Sequence, residues 1–299
     1  MTWDVGSGPG ITALGLAAAR SVESGRADRL IDDPFARLLF EAAGADLPML
    51  VDWPEPGASV SDAEALHLHG SRYIGLRTRF YDGALQAAVR DGVTQGVLLG
   101  AGLDTRAFRL DLAADFQLFE LDQQDVLEFK DATLASLGAE PRCARTTIGI
   151  DLRDDWPTAL QAGGFEPVRS TVWVAEGLLP YLAPGARSEL CHNINGLSAP
   201  ASVLAFDRIA GDPRSGHRLH ELSERSGIDM QSLITEGEGE DLAALLRAHG
   251  WRADEWPSAA LADQYGRDLT DPFADGSRRS PAAEPPWLNT MFLSARLVA

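Results

Sequence analysis

The chain has 299 residues, 45% hydrophobic and 23% charged, an ordinary globular composition that suits one large α/β domain or two small ones. Its formal net charge of −18 argues against nucleic acid and anionic membrane as partners, because both select basic surfaces. Cys143 and Cys191 are the two cysteines, too few and too far apart for a disulfide framework or a zinc site, so no metal is expected. The N-terminus lacks a basic segment followed by an apolar one, and no apolar run approaches the roughly 20 residues of a membrane span. A cytoplasmic protein is expected.

Three helices are predicted first. Ile11 to Glu23 has helix-forming composition, with Leu14 and Ala18 on one stripe. In L-I-D-D-P-F-A-R-L-L-F, Asp33 suits an N-cap and Pro34 the first helical position, with a stop at Gly44. Pro48 to Ser61 reads as a loop, and a third helix runs from Ala63 to Val89. These segments, residues 1–93, are expected to form a helical cap packed on a core of residues 94–299.

From Val97 the pattern alternates. Strands are predicted at Val97–Leu99, Gln117–Leu121, Thr146–Ile150, Thr171–Ala175 and Val203–Phe206. Between them lie helices at Leu103–Leu110, Gln124–Leu137, from about Trp156, and Arg187–Leu197. Such alternation predicts an α/β, Rossmann-like doubly wound sheet, with ligands outside the carboxyl ends of the strands. After Arg208 the pattern breaks, and Gly211 to Gly239 is polar and glycine-punctuated, the composition of a lid insertion. A helix at Asp241–His249, a strand at Trp251–Trp256 and a final alternating strand from Asn289 close the chain.

The segment Q-G-V-L-L-G-A-G-L-D-T-R-A-F-R-L, residues 95–110, organises the rest. A doubly buried strand ends at Gly100-Ala101-Gly102, where glycines let the backbone turn sharply and approach a ligand. Glu120 and Asp122 end the next strand, where an acid meets ribose hydroxyls in nucleotide-binding βαβ units. Asp151-Leu152 follows the third strand and Glu176 the fourth. One acid at a strand end commonly serves as an N-cap; four polar strand ends in succession point to a ligand. Thr105 stands where a dinucleotide fingerprint needs its third glycine, and no lysine completes a P-loop. A nucleoside without a large pyrophosphate remains, and S-adenosylmethionine is the candidate.

The segments L-L-G-A-G-L-D-T-R-A-F-R, F-E-L-D-Q, I-D-L-R-D-D-W-P and V-A-E-G-L-L-P-Y-L resemble the signature set of the leucine carboxyl methyltransferase-like family. I-T-A-L-G-L-A-A-A-R and L-I-D-D-P-F-A-R are similar to its actinobacterial branch of S-adenosylmethionine-dependent O-methyltransferases. The resemblance implies that Arg77 pairs with the methionyl carboxylate and that Gly100, Ala101 and Gly102 let the backbone approach the methionine part. It implies Asp122 on the ribose hydroxyls, with Glu120 as a second candidate, and Asp151 and Leu152 beside the adenine. It implies Glu176 near the methionyl ammonium and Tyr181 on the acceptor side, as the catalytic candidate.

The acceptor is expected to be a carboxylate of a small-molecule metabolite, with a phenolic or enolic hydroxyl as the alternative. A carboxylate acceptor is ionised at neutral pH and needs no base; a phenolic or enolic hydroxyl of a secondary metabolite needs one. His67, His69, His217 and His220 are the histidines placed to serve, and Arg208, Arg214 and Arg218 the arginines placed to attract an anion. A cofactor-binding protein without catalysis is the reading from another class. A nicotinamide oxidoreductase is disfavoured by Thr105.

Overall fold

The computed structural model describes residues 9–45, 47, 49–55, 57–209, 241–270 and 289–298. Helices α1 (Pro9–Ser24), α2 (Ala36–Ala42) and α3 (Asp62–Arg90) precede β1 (Gln95–Leu99). Then follow α4 (Arg106–Arg109), β2 (Gln117–Asp122), α5 (Gln124–Ser136), β3 (Ala144–Gly149), α6 (Trp156–Ala162) and β4 (Thr171–Ala175). A 3₁₀ turn at Leu179–Tyr181 leads to α7 (Pro184–Gly196) and β5 (Val203–Ile209). The described chain resumes with α8 (Leu242–Ala248), β6 (Trp251–Pro257), α9 (Ser258–Tyr265) and β7 (Thr290–Leu297).

The strands form one sheet in the order β3-β2-β1-β4-β5-β7-β6. Strands β1 to β5 are parallel, and β7 runs antiparallel between β5 and β6. The chain moves outward from β1 to β3, then returns to β4 on the other side of β1. That reversal opens a crevice at the carboxyl ends of β1 and β4, where doubly wound sheets take ligands.

The absence of polar alternation in β1 and β4 has its cause here. Every residue of both strands is buried, because helices cover the two faces. Leu98, Val172 and Val174 pack with Leu76 and Leu85 of α3 and Leu14 of α1. On the other face Val97, Leu99, Trp173 and Ala175 pack with Leu160 of α6, Ile194 of α7 and Leu246 of α8. The edge strand β3 is only partly covered and carries the polar sequence A-R-T-T-I-G.

Helix α3 spans 29 residues, about 43 Å at 1.5 Å per residue, and carries Arg77 over the sheet. Ser61 and Glu64 form a reciprocal capping box at its start, which satisfies two otherwise orphan donors. Gly75 is dictated by packing: a Cβ there would lie 2.5 Å from the buried Glu23 side chain of α1.

Three local departures from the sequence expectations have physical causes. The helix expected over Leu103–Leu110 is a single turn, because Gly102 at φ +47°, the turn closed by Asp104 N on Ala101 O and the side-chain ties of Asp104 and Thr105 hold the chain out of the helix as far as Arg106. Helix α2 starts at Ala36 rather than Pro34, yet Asp33 still accepts the amides of Phe35 and Ala36 at 3.2 Å. Helix α9, unanticipated, begins after Pro257 and ends on Gly266 in the left-handed region. The expected lid, 211–239, lies outside the described residues. No helix among them is long and apolar enough to cross a membrane.

Trp173 is fully buried at the centre of the sheet, against Trp156 and Phe165, with Nε1 donating to Ser198 Oγ at 2.9 Å. Trp173→Ala is expected to lower the unfolding free energy by about 3–5 kcal/mol, measured by urea denaturation. The exposed Val168→Ala control should stay within about 0.5 kcal/mol of wild type.

Candidate active site at the carboxyl edge

Strand register assembles the site. Asp122 pairs with Gly149, and the ladders linking Leu99 to Leu121, Leu98 to Val174 and Ala175 to Phe206 extend one or two residues to the same level. Gly149, Asp122, Gly100, Glu176 and Asp207 therefore form one row across five parallel strands. Three of these five are carboxylates, and Asp207 is one that the sequence reading did not single out.

Gly100 and Gly102 both have positive φ, +68° and +47°, a conformation that costs roughly 1–2 kcal/mol for a residue with a Cβ. Between them Ala101 donates to Leu121 O at 2.9 Å, which ties the turn to β2. Asp122 then holds the turn from the side: Oδ2 accepts Gly102 N at 2.6 Å and Oδ1 accepts Gln123 N at 2.7 Å. Burial pushes the Asp122 carboxyl above its ordinary value, and the two amides offset part of that rise. Each oxygen keeps a lone pair for a second donor.

Glu176 sits between two arginines. Arg77 Nε donates to Oε1 at 3.0 Å, and Arg106 Nη2 lies 2.8 Å from Oε2. Burial pushes this carboxyl up, but Arg106, Arg77 and Arg20 outweigh it and hold the pKa at about 2. Gly177, at φ +62°, lets the backbone pass under Arg77: a Cβ there would meet Nη1 at 2.8 Å. Among the described residues Nη1 and Nη2 of Arg77 make no hydrogen bond, so the guanidinium fork keeps its carboxylate-binding end.

The charges behind this pair were given no site role at the sequence level. Arg106, 2% exposed, meets Asp82 Oδ1 through Nε at 2.7 Å and also pairs with Asp104. Arg109 closes a fork on Asp82, both contacts at 2.7 Å. Asp33 accepts from Arg20 and from Thr105 Oγ1, each at 2.8 Å, and Arg20 donates to Leu103 O at 2.7 Å. Asp207 accepts from Tyr81 Oη and, at 2.7 Å, from Gly177 N. The available signal was a run of charges, Asp104, Arg106 and Arg109, inside an otherwise apolar glycine-turn motif.

The remaining expected site residues divide. Asp151 is paired with the exposed Arg153, whose hydrogen bond lowers its pKa, and Leu152 is partly buried against the second core layer. Tyr181 ends the 3₁₀ turn, and burial raises its pKa. Glu120 is a correction. It lies one pleat below Asp122, fully buried, with Oε2 at 2.6 Å from both Lys130 Nζ and Arg145 Nη2. A ligand at the strand ends cannot reach it.

His67 Nε2 donates to Leu50 O and His69 Nε2 to Leu269 O, both at 2.9 Å, so those two hold backbone carbonyls. Arg208 is paired with Glu255 at 3.2 Å. His217, His220, Arg214 and Arg218 lie outside the described residues. No group of three potential metal ligands occurs among the described residues. A cavity of about 330 Å³ lies between α3 and the antiparallel strands, lined by Ala84, Ala88, Val203 and Arg252 among others; it is at the amino ends of the strands, away from the row.

The sequence profile described as leucine carboxyl methyltransferase matches residues 13–195, which spans α1 to α7 and every strand end of the row except that of β5. The chain belongs to the leucine carboxyl methyltransferase family. A relative from Saccharopolyspora erythraea is 43% identical over 271 residues, covering 90% of this chain and 92% of the relative. One from Mycolicibacterium smegmatis is 43% identical over 273 residues, covering 89% and 90%. Both are named for S-adenosyl-L-methionine-dependent methyltransfer. A crystal structure of a Thermobifida fusca protein named as a methyltransferase aligns with a TM-score of 0.52 at 18% identity, over 95% of this chain and 94% of that one. At that identity it shows the shared fold.

Two outcomes follow from the site geometry. Glu120→Gln weakens the sealed ion pairs, so the denaturation midpoint is expected to fall while the folded protein keeps its cofactor affinity by titration calorimetry. For Glu176 the depressed pKa gives a pH signature. Its stabilising contribution is complete above the ordinary carboxylate value of 4.5 and fades as pH falls toward about 2. The stability gap between wild type and Glu176→Gln, followed by denaturation at each pH, should narrow across that window and stay constant from pH 5 to 8.

Proposed function

We propose that this chain transfers the methyl group of S-adenosyl-L-methionine to a carboxylate oxygen of a small-molecule metabolite. The family and its named relatives make it an S-adenosyl-L-methionine-dependent methyltransferase. The observation that carries the cofactor assignment is the row at the carboxyl edge, with Arg77 above it. The donor set fits the cofactor group by group. Arg77, whose Nη1 and Nη2 make no hydrogen bond among the described residues, offers its fork to the methionyl carboxylate, and Glu176, held ionised, takes the ammonium. The turn at Gly100, Ala101 and Gly102 brings backbone close to the methionine part. Asp122 has lone pairs for the ribose hydroxyls, and Asp151 and Leu152 take the adenine edge and face.

When bound, the cofactor supplies a sulfonium methyl for in-line transfer to a nucleophile. The work of the chain is to bind, orient and exclude water, and positioning of this kind supplies most of the acceleration in such transfers. A carboxylate acceptor needs no proton removed. Tyr181, carried by the 3₁₀ turn just after Glu176, is the residue we assign to the acceptor side.

The test uses S-adenosyl-L-methionine labelled in its methyl group, incubated with the protein and metabolite extract. A labelled product released by mild alkali, as an ester is, supports the carboxylate; an alkali-stable ether moves the assignment to a hydroxyl acceptor. Asp122→Ala and Asp151→Ala are each expected to weaken binding at least about tenfold, or 1.4 kcal/mol. Unchanged affinity in calorimetry would refute these contacts.

A further inference from the structure

Arg106 is the most heavily paired side chain near the site, and the methyl-transfer reading leaves it without a task. It is fully buried and reaches three carboxylates on three segments: Asp104 in the glycine turn, Asp82 on α3, and Glu176 at the end of β4. Asp82 is itself gripped from behind by the fork of Arg109. Tyr81 lies under the guanidinium, its ring 5.7 Å away. One planar group thus sets the distance between the turn that meets the methionine part and the acid that meets its ammonium.

The structure assigns Arg106 as the positioning residue of the cofactor's amino-acid end: backed by Asp82, it fixes the Glu176 carboxylate against the glycine turn. This rests on the reading of Glu176 as partner of the methionyl ammonium. A lysine cannot replace it, because a point charge lacks the fork that meets several carboxylates at once. Glu176 also faces Arg77 and Tyr73 from α3, Arg20 from α1 and Asp207 from β5. Among these, Arg106 and Arg77 make the direct contacts with Glu176, and Arg77 is shared with the methionyl carboxylate. Arg106 is therefore the direct partner of Glu176 that no part of the cofactor shares once the site is filled.

The experiment compares two ligands by calorimetry: S-adenosyl-L-methionine, and methylthioadenosine, which has the same nucleoside but no amino-acid end. Arg106→Lys should lose about tenfold or more in affinity for the first and keep its affinity for the second within about twofold. A second readout is a double-mutant cycle. Added to Glu176→Gln, Arg106→Lys should weaken S-adenosyl-L-methionine binding by less than about twofold further, because Arg106 acts through that carboxylate. Asp82→Asn, which leaves Arg106 in place but unbacked, should show a smaller loss of the same selectivity and carries the test if the lysine variant does not fold. Equal loss of both ligands, or as large a loss in the Glu176→Gln background as in wild type, overturns the assignment. Failure of the reading beneath it looks different: wild type would bind methylthioadenosine no less tightly than the full cofactor, or Glu176→Gln would bind the full cofactor normally.

Discussion

Charge buried away from water has to be met by opposite charge inside the protein, and the carboxyl edge of this sheet is built on that constraint. Arg20, Arg77, Arg106 and Arg109 are paired there with Asp33, Asp82, Asp104 and Glu176, while Asp207 is met by the Tyr81 hydroxyl and the Gly177 amide. These residues come from α1, the segment before α2, α3, the glycine turn, α4 and the ends of β4 and β5. Removing any one strands its partners in a low-dielectric interior, where breaking a buried pair costs about 3–5 kcal/mol. Pairing so demanding admits few arrangements of the elements that carry it.

The apolar layers work differently. Leu76, Leu85, Leu98 and Val174 hold α3 against the sheet, but hydrophobic burial is non-directional and tolerates sliding. The ion pairs supply the direction. Arg77 meets Glu176 and Asp82 meets Arg106 and Arg109 only at one setting of α3 along the sheet. Helix α3, packed on one face of the sheet, is thereby in register with the strand ends, and its Arg77 guanidinium meets Glu176 in the row of acids.

Depth along a strand separates acids that look alike in sequence. Glu120 and Asp122 share a face of β2, yet one pleat of depth gives them opposite tasks. Glu120 is sealed with Lys130 and Arg145 at 0% exposure, and burial is offset by two cations that hold its carboxyl down. Among the described residues Asp122, at the end of the strand, is engaged by the backbone amides of Gly102 and Gln123. The first is internal scaffold, and the second retains capacity for a ligand.

Much of the architecture was legible without coordinates. Uninterrupted apolar runs at 97–99 and 171–175 announced doubly buried strands, and Gly100, Gly102, Asp122, Asp151 and Glu176 announced the edge they share, because period and turn chemistry are local properties. The pairing of Asp33 with Arg20, of Asp82 with Arg106 and Arg109, and of Asp207 with Tyr81 was not legible, since each joins residues 13 to 126 positions apart. The one-turn length of α4 and the true place of Glu120 were likewise decided by tertiary contacts that override local preference. The sequence by itself determined which elements form and that their carboxyl ends carry acids. Only the folded structure decided which of those acids are open to a ligand and which are locked, because that depends on long-range partners and depth.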